Sequence, residues 1–206
     1  MSHPEPPKSK RVHKPAEQRR SEILREATRI FAERGYQVAD MQAVADAAGV
    51  GKGTVYRYFP TKEELFTQAL TYNLERLKEA VEDARQRPED PLEQLKEAFR
   101  AYLVFFEENP DLIELFVQER AEFRASFQSS LYFSYMMSGH EEWEAMFQRI
   151  QERYPFRTID IEELMNVCGD LMHGAVVLSH TPLERKPLSQ RFDAVFDIYL
   201  HGIMAS

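Results

Sequence analysis

The sequence of 206 residues predicts an all-α fold, in which a small amino-terminal domain of three helices is joined by a long helix to a larger helical domain. Apolar residues recur at intervals of three and four along most of the chain, as expected for helices that bury one face. No segment alternates apolar and polar residues as a half-buried strand would. Glycines and prolines divide the helical stretches where helices commonly end.

The first predicted helix spans residues 16–34. Ile23, Ala27, Ile30 and Phe31 fall on one face of it. Gly35 ends the helix, because glycine readily adopts the left-handed conformation that closes a helix. Residues 1–15 hold four prolines and several basic side chains, so we expect a mobile basic arm. Such an arm is either a solvated tail or a contact to phosphate or the minor groove.

Residues 42–59, reading QAVADAAGVGKGTVYRYF, have the pattern of a helix-turn-helix. Asp40 is placed to cap the first of its helices, and Gly49 supplies a left-handed turn. Ala45 is small where the two helices approach each other. The second helix presents polar side chains, and a small apolar core closes between the helices: Val44, Ala48, Val50, Val55 and Tyr58.

The remaining helices follow from capping signals and helix breakers. Thr61 and Glu64 form a predicted capping box at the start of a fourth helix, which continues to about Gln86. Beyond the break at Pro88–Pro91, one apolar stripe leads to a turn at Asn109-Pro110. Further helices are predicted at 111–123, 126–153, 160–180 and 187–204, with Ser138-Gly139 as a candidate interruption of the second of these.

Residues 23–66 closely resemble the amino-terminal DNA-binding domain of the TetR family of bacterial transcription regulators. The resemblance covers about a fifth of the chain. It implies a DNA-binding domain at 16–62, whose third helix enters the major groove, and an effector-binding and dimerisation domain at 63–206. The residues that carry it are Ala27, Phe31, Gly35, Tyr36, Val44, Ala45, Ala48, Gly49, Val50, Gly53, Thr54, Tyr56, Phe59, Lys62, Leu65 and Phe66.

The candidate DNA contacts lie mainly on the third helix, whose polar side chains can reach phosphates or base edges. The resemblance implies that Tyr56 and Lys62 contact phosphate. Each candidate could instead be a solvated surface side chain, and Tyr58 could chiefly be core. At positions 51 and 39, members of the family commonly have Ser and Thr, whereas this sequence has Gly51 and Ala39. One hydroxyl contact to phosphate is therefore lost at each position. The candidates are Gln42, Lys52, Gly53, Thr54, Tyr56, Arg57, Tyr58 and Lys62.

Charge is distributed as a DNA-binding regulator would require. The chain carries a net charge of −8, which by itself argues against nucleic acid. Residues 1–60, however, hold 11 Lys and Arg against seven Asp and Glu, whereas the rest holds 15 against 27. A basic module on an acidic body is expected for a DNA reader with a separate regulatory domain.

The stretch around residues 116–147 is rich in aromatic residues and methionine. One interpretation is a solid core; the other, implied by the resemblance, is a cavity that receives a small apolar effector. The alternative function is therefore a ligand-independent, architectural DNA-binding dimer. The candidate effector residues are Phe123, Phe127, Phe133, Met137, His140, Trp143, Phe147, Asn166 and His173, with Cys168 and Asp170 as further polar candidates.

The last two helices resemble the pair through which family members dimerise as a four-helix bundle. Small residues among branched ones would allow close approach, although burial within one subunit is the alternative. A homodimer is also favoured because one recognition helix reads too few bases for specificity in a genome. The predicted interface residues are Leu171, Gly174, Ala175, Leu178, Phe192, Val195, Phe196 and Tyr199.

Several function classes have no support in the sequence. There is no paired Glu-x-x-His motif for a di-iron centre and no complete nucleotide-binding glycine loop. We therefore expect no enzymatic activity, no cofactor and no metal; His173 and His180 could offer at most two ligands. No apolar run of about 18 residues predicts a membrane span. With one cysteine and no secretory signal, the protein is expected to be cytoplasmic.

Overall fold

The computed structural model describes residues 15–123, 131, 135, 138–155, 157, 159–179 and 186–203. These residues form nine helices and no strand, so the predicted all-α fold is confirmed. None of the described helices has the length and apolarity needed to cross a bilayer. The helices are α1 (Ala16–Val38), α2 (Met41–Ala47), α3 (Lys52–Tyr58), α4 (Lys62–Arg85), α5 (Pro91–Glu108), α6 (Asp111–Phe123), α7 (His140–Arg153), α8 (Ile161–Ser179) and α9 (Leu188–Ile203).

Local sequence signals set the first three helices. Gly35 has a φ of 77° and interrupts α1 where the sequence predicts its end. The Asp40 carboxylate accepts from the backbone N–H groups of Gln42 and Ala43 at 2.7 and 2.8 Å, which caps α2. Gly49, with a φ of 64°, makes the turn into α3. The predicted caps and turns of this unit are therefore confirmed.

Helix α4 belongs to both parts of the molecule. The Thr61 hydroxyl oxygen accepts from the Glu64 N–H at 3.0 Å and caps the helix, as predicted. The first half of α4 buries Leu65 and Phe66, and the helix packs against α1. The second half buries Leu77 and Val81, and the helix packs along α5. Helix α4 therefore packs in both halves of the chain.

Helix α6 makes a second connection to the amino-terminal unit. The side-chain amide of Gln118 donates to the carbonyl oxygen of Phe31 at 2.9 Å. The ring of Phe123 lies 5.1 Å from that of Tyr36 and 5.5 Å from that of Phe66, between ring centroids. Phe123, a candidate effector residue, is thus part of the joint between the two halves of the chain.

The body is formed by α5, α7, α8 and α9. The predicted interruption at Ser138-Gly139 is confirmed, because both residues form a turn and Gly139 precedes α7 with a φ of 81°. Asp90 caps α5 through the N–H groups of Leu92 and Glu93. Its other carboxylate oxygen accepts from the Tyr154 hydroxyl at 2.7 Å and so ties the end of α7 to the start of α5.

Candidate functional site

Helix α3 presents a basic and polar surface. It starts at Gly51, whose carbonyl oxygen accepts from the Thr54 N–H at 2.8 Å. Val55 is completely buried and holds α3 against the rest of the unit. Lys52, Tyr56 and Arg57 are exposed, and the Lys52 ammonium lies 6.0 Å from the centroid of the Tyr56 ring. Gly53 is also exposed and Thr54 is half-buried.

Tyr58 is half-buried at the carboxyl end of α3. Its hydroxyl is 3.4 Å from the carbonyl oxygen of Ala16, at the start of α1. The Arg57 guanidinium lies 5.6 Å from the centroid of the Tyr58 ring. Tyr58 therefore joins α3 to α1, with the Arg57 side chain beside its ring.

Gln42 lies exposed on α2, beside the recognition helix. Its side-chain amide donates to the Asp46 carboxylate at 2.7 Å. Because a carboxylate can only accept, the contact fixes the NH₂ group of Gln42 on the Asp46 side. The carbonyl oxygen and the second N–H of the amide remain available.

Lys62 is placed differently from the other candidates. Its ammonium donates to the carbonyl oxygens of Tyr36, Gln37 and Ala39 at 2.7, 3.1 and 3.0 Å. It also lies 4.7 Å from the centroid of the Tyr36 ring. A lysine ammonium has three N–H donors. In this structure all three are matched by carbonyls of the segment after Gly35.

A cavity of about 340 Å³ lies between α4, α5, α7 and α8. Ligand pockets usually have volumes of about 300–1,000 Å³ and mainly apolar walls. The charged side chains lie on α4 and at the start of α7, whereas α5 and α8 contribute mainly aromatic and sulfur-containing ones. The lining side chains include Lys78, Glu82, Arg85, Phe99, Tyr102, Tyr135, Glu142, Trp143, Phe147, Met165, Cys168 and Met172.

The α4 side of the cavity is held by an ion pair. The Arg85 guanidinium donates two bonds from Nη2 and one from Nε to the Glu82 carboxylate, at 2.6 to 2.9 Å. Burial acts to raise the pKa of Glu82, but the hydrogen bonds from Arg85 and Gln86 outweigh it, and the net shift is downward. Glu82 therefore stays ionised and matches the charge of Arg85.

Cys168 contributes a thiol to the cavity wall. The thiol lies 2.6 Å from the Tyr199 hydroxyl, across the contact between α8 and α9. Burial raises the pKa of the thiol to about 12. Because the thiolate is the nucleophile, Cys168 is a buried and unreactive packing residue.

Some of the candidate effector residues line the cavity and others do not. Trp143 and Phe147 line the cavity. His140, Asn166 and His173 are not among its lining residues, and burial followed by the nearby Arg120 lowers the pKa of His173. Phe127, Phe133 and Met137 fall outside the described residues.

The cavity also uses residues that the sequence analysis did not single out as effector contacts. Phe99 and Tyr102 come from the apolar stripe of α5, and Met165 and Met172 come from α8. Their periodicity indicated burial, but it could not distinguish a cavity wall from a filled core.

The candidate dimer residues also separate into two groups. Phe192, Phe196 and Tyr199 are buried within the subunit, which is the alternative considered for the last two helices. Leu171 and Leu178, by contrast, are 42% and 44% exposed. Ala175 and Val195 are half-buried. A Cβ atom added at Gly174 would meet nothing within 4 Å.

Comparison with known proteins identifies the class of this chain. Residues 23–69 match the family profile described as bacterial regulatory proteins, tetR family. The chain is 30% identical over 149 residues to the HTH-type transcriptional repressor KstR2 of Mycobacterium tuberculosis, over 70% of this chain and 72% of that protein. The chain therefore belongs to the TetR family and is a helix-turn-helix transcriptional regulator, as its sequence predicts.

Solved structures have the same architecture. That of the ketosteroid transcriptional regulator KstR2 of Mycobacterium tuberculosis gives a TM-score of 0.69 at 25% identity, over 95% of this chain and 100% of the other. The TetR family transcriptional regulator PfmR from Thermus thermophilus gives 0.71 at 26% identity, over 87% and 97%. Proteins of this family are DNA-binding regulators rather than enzymes.

Proposed function

We propose that this regulator binds a palindromic operator as a homodimer and is released from it by a largely apolar effector. The DNA-binding domain is residues 16–62, and the effector-binding and dimerisation domain is 63–206. One observation carries the proposal: α4 begins beside the helix-turn-helix unit and, 16 residues further on, lines the cavity from Lys78 to Arg85. A ligand in the cavity therefore touches the same helix that packs against α1 of the DNA-binding unit.

Exposed cations on α3 support the DNA contact. Lys52 and Arg57 are both exposed on α3, so both charges can reach phosphate or guanine. Tyr56 adds an exposed hydroxyl and Thr54 a half-buried one. The Gln42 amide, oriented by Asp46, can accept from and donate to the edge of an adenine.

An apolar stripe on α8 supports the dimer. Val167, Leu171 and Leu178 are 40–44% exposed, and their spacing of four and seven places them on one face. Gly174 lies on the same face with open space above it. On the neighbouring α9, Ile198 is 73% exposed. Pairing this face with its symmetry mate would bury the stripe in a four-helix bundle.

The cavity supports effector control, and it weighs against the architectural alternative with a solid core. Filling the cavity would shift α4 and thereby change the separation of the two recognition helices. Since half-sites must match a spacing of about 34–36 Å, a small swing removes several contacts. KstR2 is described as a ketosteroid transcriptional regulator, so steroids are a sensible first class of apolar compounds to screen.

Two measurements test the proposal. DNA selected from a random pool by the purified protein should converge on an inverted repeat. A thermal-shift screen with steroids and fatty acids should then find a compound that stabilises the free protein and weakens operator binding, typically by about 5–150-fold. Selected DNA without two half-sites would contradict the dimer. An operator that no apolar compound releases would favour the architectural alternative.

A further inference from the structure

We propose that the cavity selects an amphipathic anion, whose apolar body packs against α5 and α8 and whose carboxylate binds Lys78 and Arg85 on α4. The proposal rests on the effector control proposed above, and it adds the chemical class of the compound. It follows from the hydrogen bonds that the charged side chains of the described wall have already made, and from those that they can still make.

The carboxylate of Glu82 is saturated within the protein. Its Oε1 accepts from Nη2 of Arg85 and from the side-chain amide of Gln86, both at 2.6 Å. Its Oε2 accepts from Nε and Nη2 of Arg85 at 2.9 and 2.7 Å. A carboxylate has about four lone-pair sites, and these four hydrogen bonds occupy them. Glu82 therefore offers little to a ligand.

The Arg85 guanidinium occupies the place that a cationic ligand would take. An apolar-walled cavity holds a cation best against an aromatic face and a carboxylate. Arg85 already lies 6.0 Å from the centroid of the Trp143 ring and is paired with Glu82. Its side chain is only 19% exposed, so its displacement by a ligand would leave a largely buried charge without its partner. The cavity therefore disfavours cations.

Helix α4 still has hydrogen-bond donors for an anion. A guanidinium has five N–H groups, and the bonds to Glu82 come from Nε and Nη2 of Arg85, so the two N–H groups of Nη1 lie outside that pair. Lys78 also lines the cavity, two turns earlier on the same face of α4. Together with Glu82, these side chains carry one net positive charge.

The other walls determine how such an anion is oriented. Glu142 lies exposed on the α7 side of the cavity, so its charge repels an anionic group from that side. Phe99 on α5 and Met165 and Met172 on α8 provide apolar and adaptable contact area. A carboxylate at α4 with an apolar body directed toward α5 and α8 therefore satisfies each wall.

Three probes that share one alkyl chain test the charge preference: dodecanoate, methyl dodecanoate and dodecyltrimethylammonium, each kept below its micelle-forming concentration. Binding to the free wild-type protein is measured by calorimetry at neutral pH. A hydrogen bond to a charged group makes the acid bind at least about tenfold more tightly than its ester, and we expect the ammonium to bind most weakly. Naphthaleneacetate and its methyl ester repeat the comparison on a rigid body.

Variants of the cavity wall then assign the charged end. Lys78→Met, at an exposed position, should weaken dodecanoate and leave the ester unchanged. Arg85→Met should also remove the preference for the acid, and it should strengthen the ammonium because it frees Glu82 and the indole face. Glu142→Gln should strengthen the acid. Arg87→Met removes an exposed cation outside the cavity and should behave as wild type.

Binding to the free protein and release of DNA are separate results. Dodecanoate that binds with the expected preference but leaves operator affinity unchanged would overturn effector control, while the anion site would stand. Equal or tighter binding of the esters, tightest binding of the ammonium, or an unchanged preference in both Lys78→Met and Arg85→Met would overturn the anionic class. Failure of both acids to bind the free protein would overturn it as well.

Discussion

The guanidinium of Arg85 lies over the indole ring of Trp143, 6.0 Å from the ring centroid. Arg85 belongs to α4 and Trp143 to α7, so this cation–π contact spans the polar side of the cavity. Trp143 is also the single tryptophan of the chain. The wall of the cavity therefore carries an intrinsic fluorescent reporter.

Binding of an apolar compound in the cavity should change the emission of Trp143. A ligand that excludes water from the indole, or separates it from Arg85, should shift or quench the emission in a saturable way. The titration is followed by fluorescence with Tyr56→Phe as the control variant, since Tyr56 is exposed on α3, outside the cavity, and its substitution should leave the response unchanged. A compound that releases DNA without any change in emission would place the effector site elsewhere.

Asp46→Ala should alter base preference more than stability. The Gln42–Asp46 contact is an exposed pair four residues apart on a helix, and such pairs contribute only about 0.2–0.5 kcal/mol. Without the Asp46 carboxylate, the side-chain amide of Gln42 can rotate and exchange the positions of its oxygen and nitrogen. The preference of Gln42 for one base should therefore weaken. Selection from a random pool would show this as a loss of information at one position of each half-site. A uniform loss across the operator would argue against base contact by Gln42.

Gly174→Leu should disrupt the proposed dimer without unfolding the subunit. A side chain at this position finds open space in the single chain, and leucine favours helix more than glycine does. In a dimer the same side chain would meet the partner, and such overpacking costs about 1–3 kcal/mol. Sedimentation should show a shift toward monomer with helical content retained.

A second test variant and one control accompany the Gly174 variant. Leu171→Glu, on the same face of α8, should also give monomer. Val117→Glu, on α6 and 54% exposed, introduces the same charge at another exposed apolar site and should stay dimeric. Dimers of normal affinity in both α8 variants would move the interface away from this face.

Asp90 should give the fold a measurable dependence on acid pH. Burial acts to raise its pKa, but the Tyr154 hydroxyl, the N–H groups of Leu92 and Glu93 and the charge of Arg153 outweigh burial, so the net shift is downward. A carboxylate with a lowered pKa stabilises the folded state above its ordinary value of about 3.9 and loses this contribution as pH falls through the folded-state value.

The comparison of wild type with Asp90→Asn isolates this contribution. Asparagine still caps α5, so the variant loses mainly the ionic part of the contacts to Tyr154 and Arg153. The melting temperature of wild type should exceed that of the variant near neutral pH, and the gap should close below about pH 4. Asp83→Asn, at an exposed position of α4, serves as the control. A gap that stays constant into acid would assign the difference to hydrogen bonding alone.

Most of the helix-turn-helix unit could be predicted because its determinants are local. The caps at Asp40 and Thr61 act over two or three residues, and Gly35 and Gly49 mark positions that need a positive φ. Such signals can be read in a linear sequence. The same holds for the exposed polar face of α3, since Val55 fixes which side of that short helix is buried.

The tertiary structure alone decided which partners the longer-range residues find. Lys62 meets carbonyls 23 to 26 residues away, and Phe123 packs in the joint with Tyr36 and Phe66 instead of lining the cavity. Apolar periodicity shows that a helix face is covered but does not show by what. Phe192 and Leu171 were both predicted at one interface, but they differ in burial. Phe192 lies on the inner face of α9, which α5 covers, whereas Leu171 lies on a side of α8 that is left open.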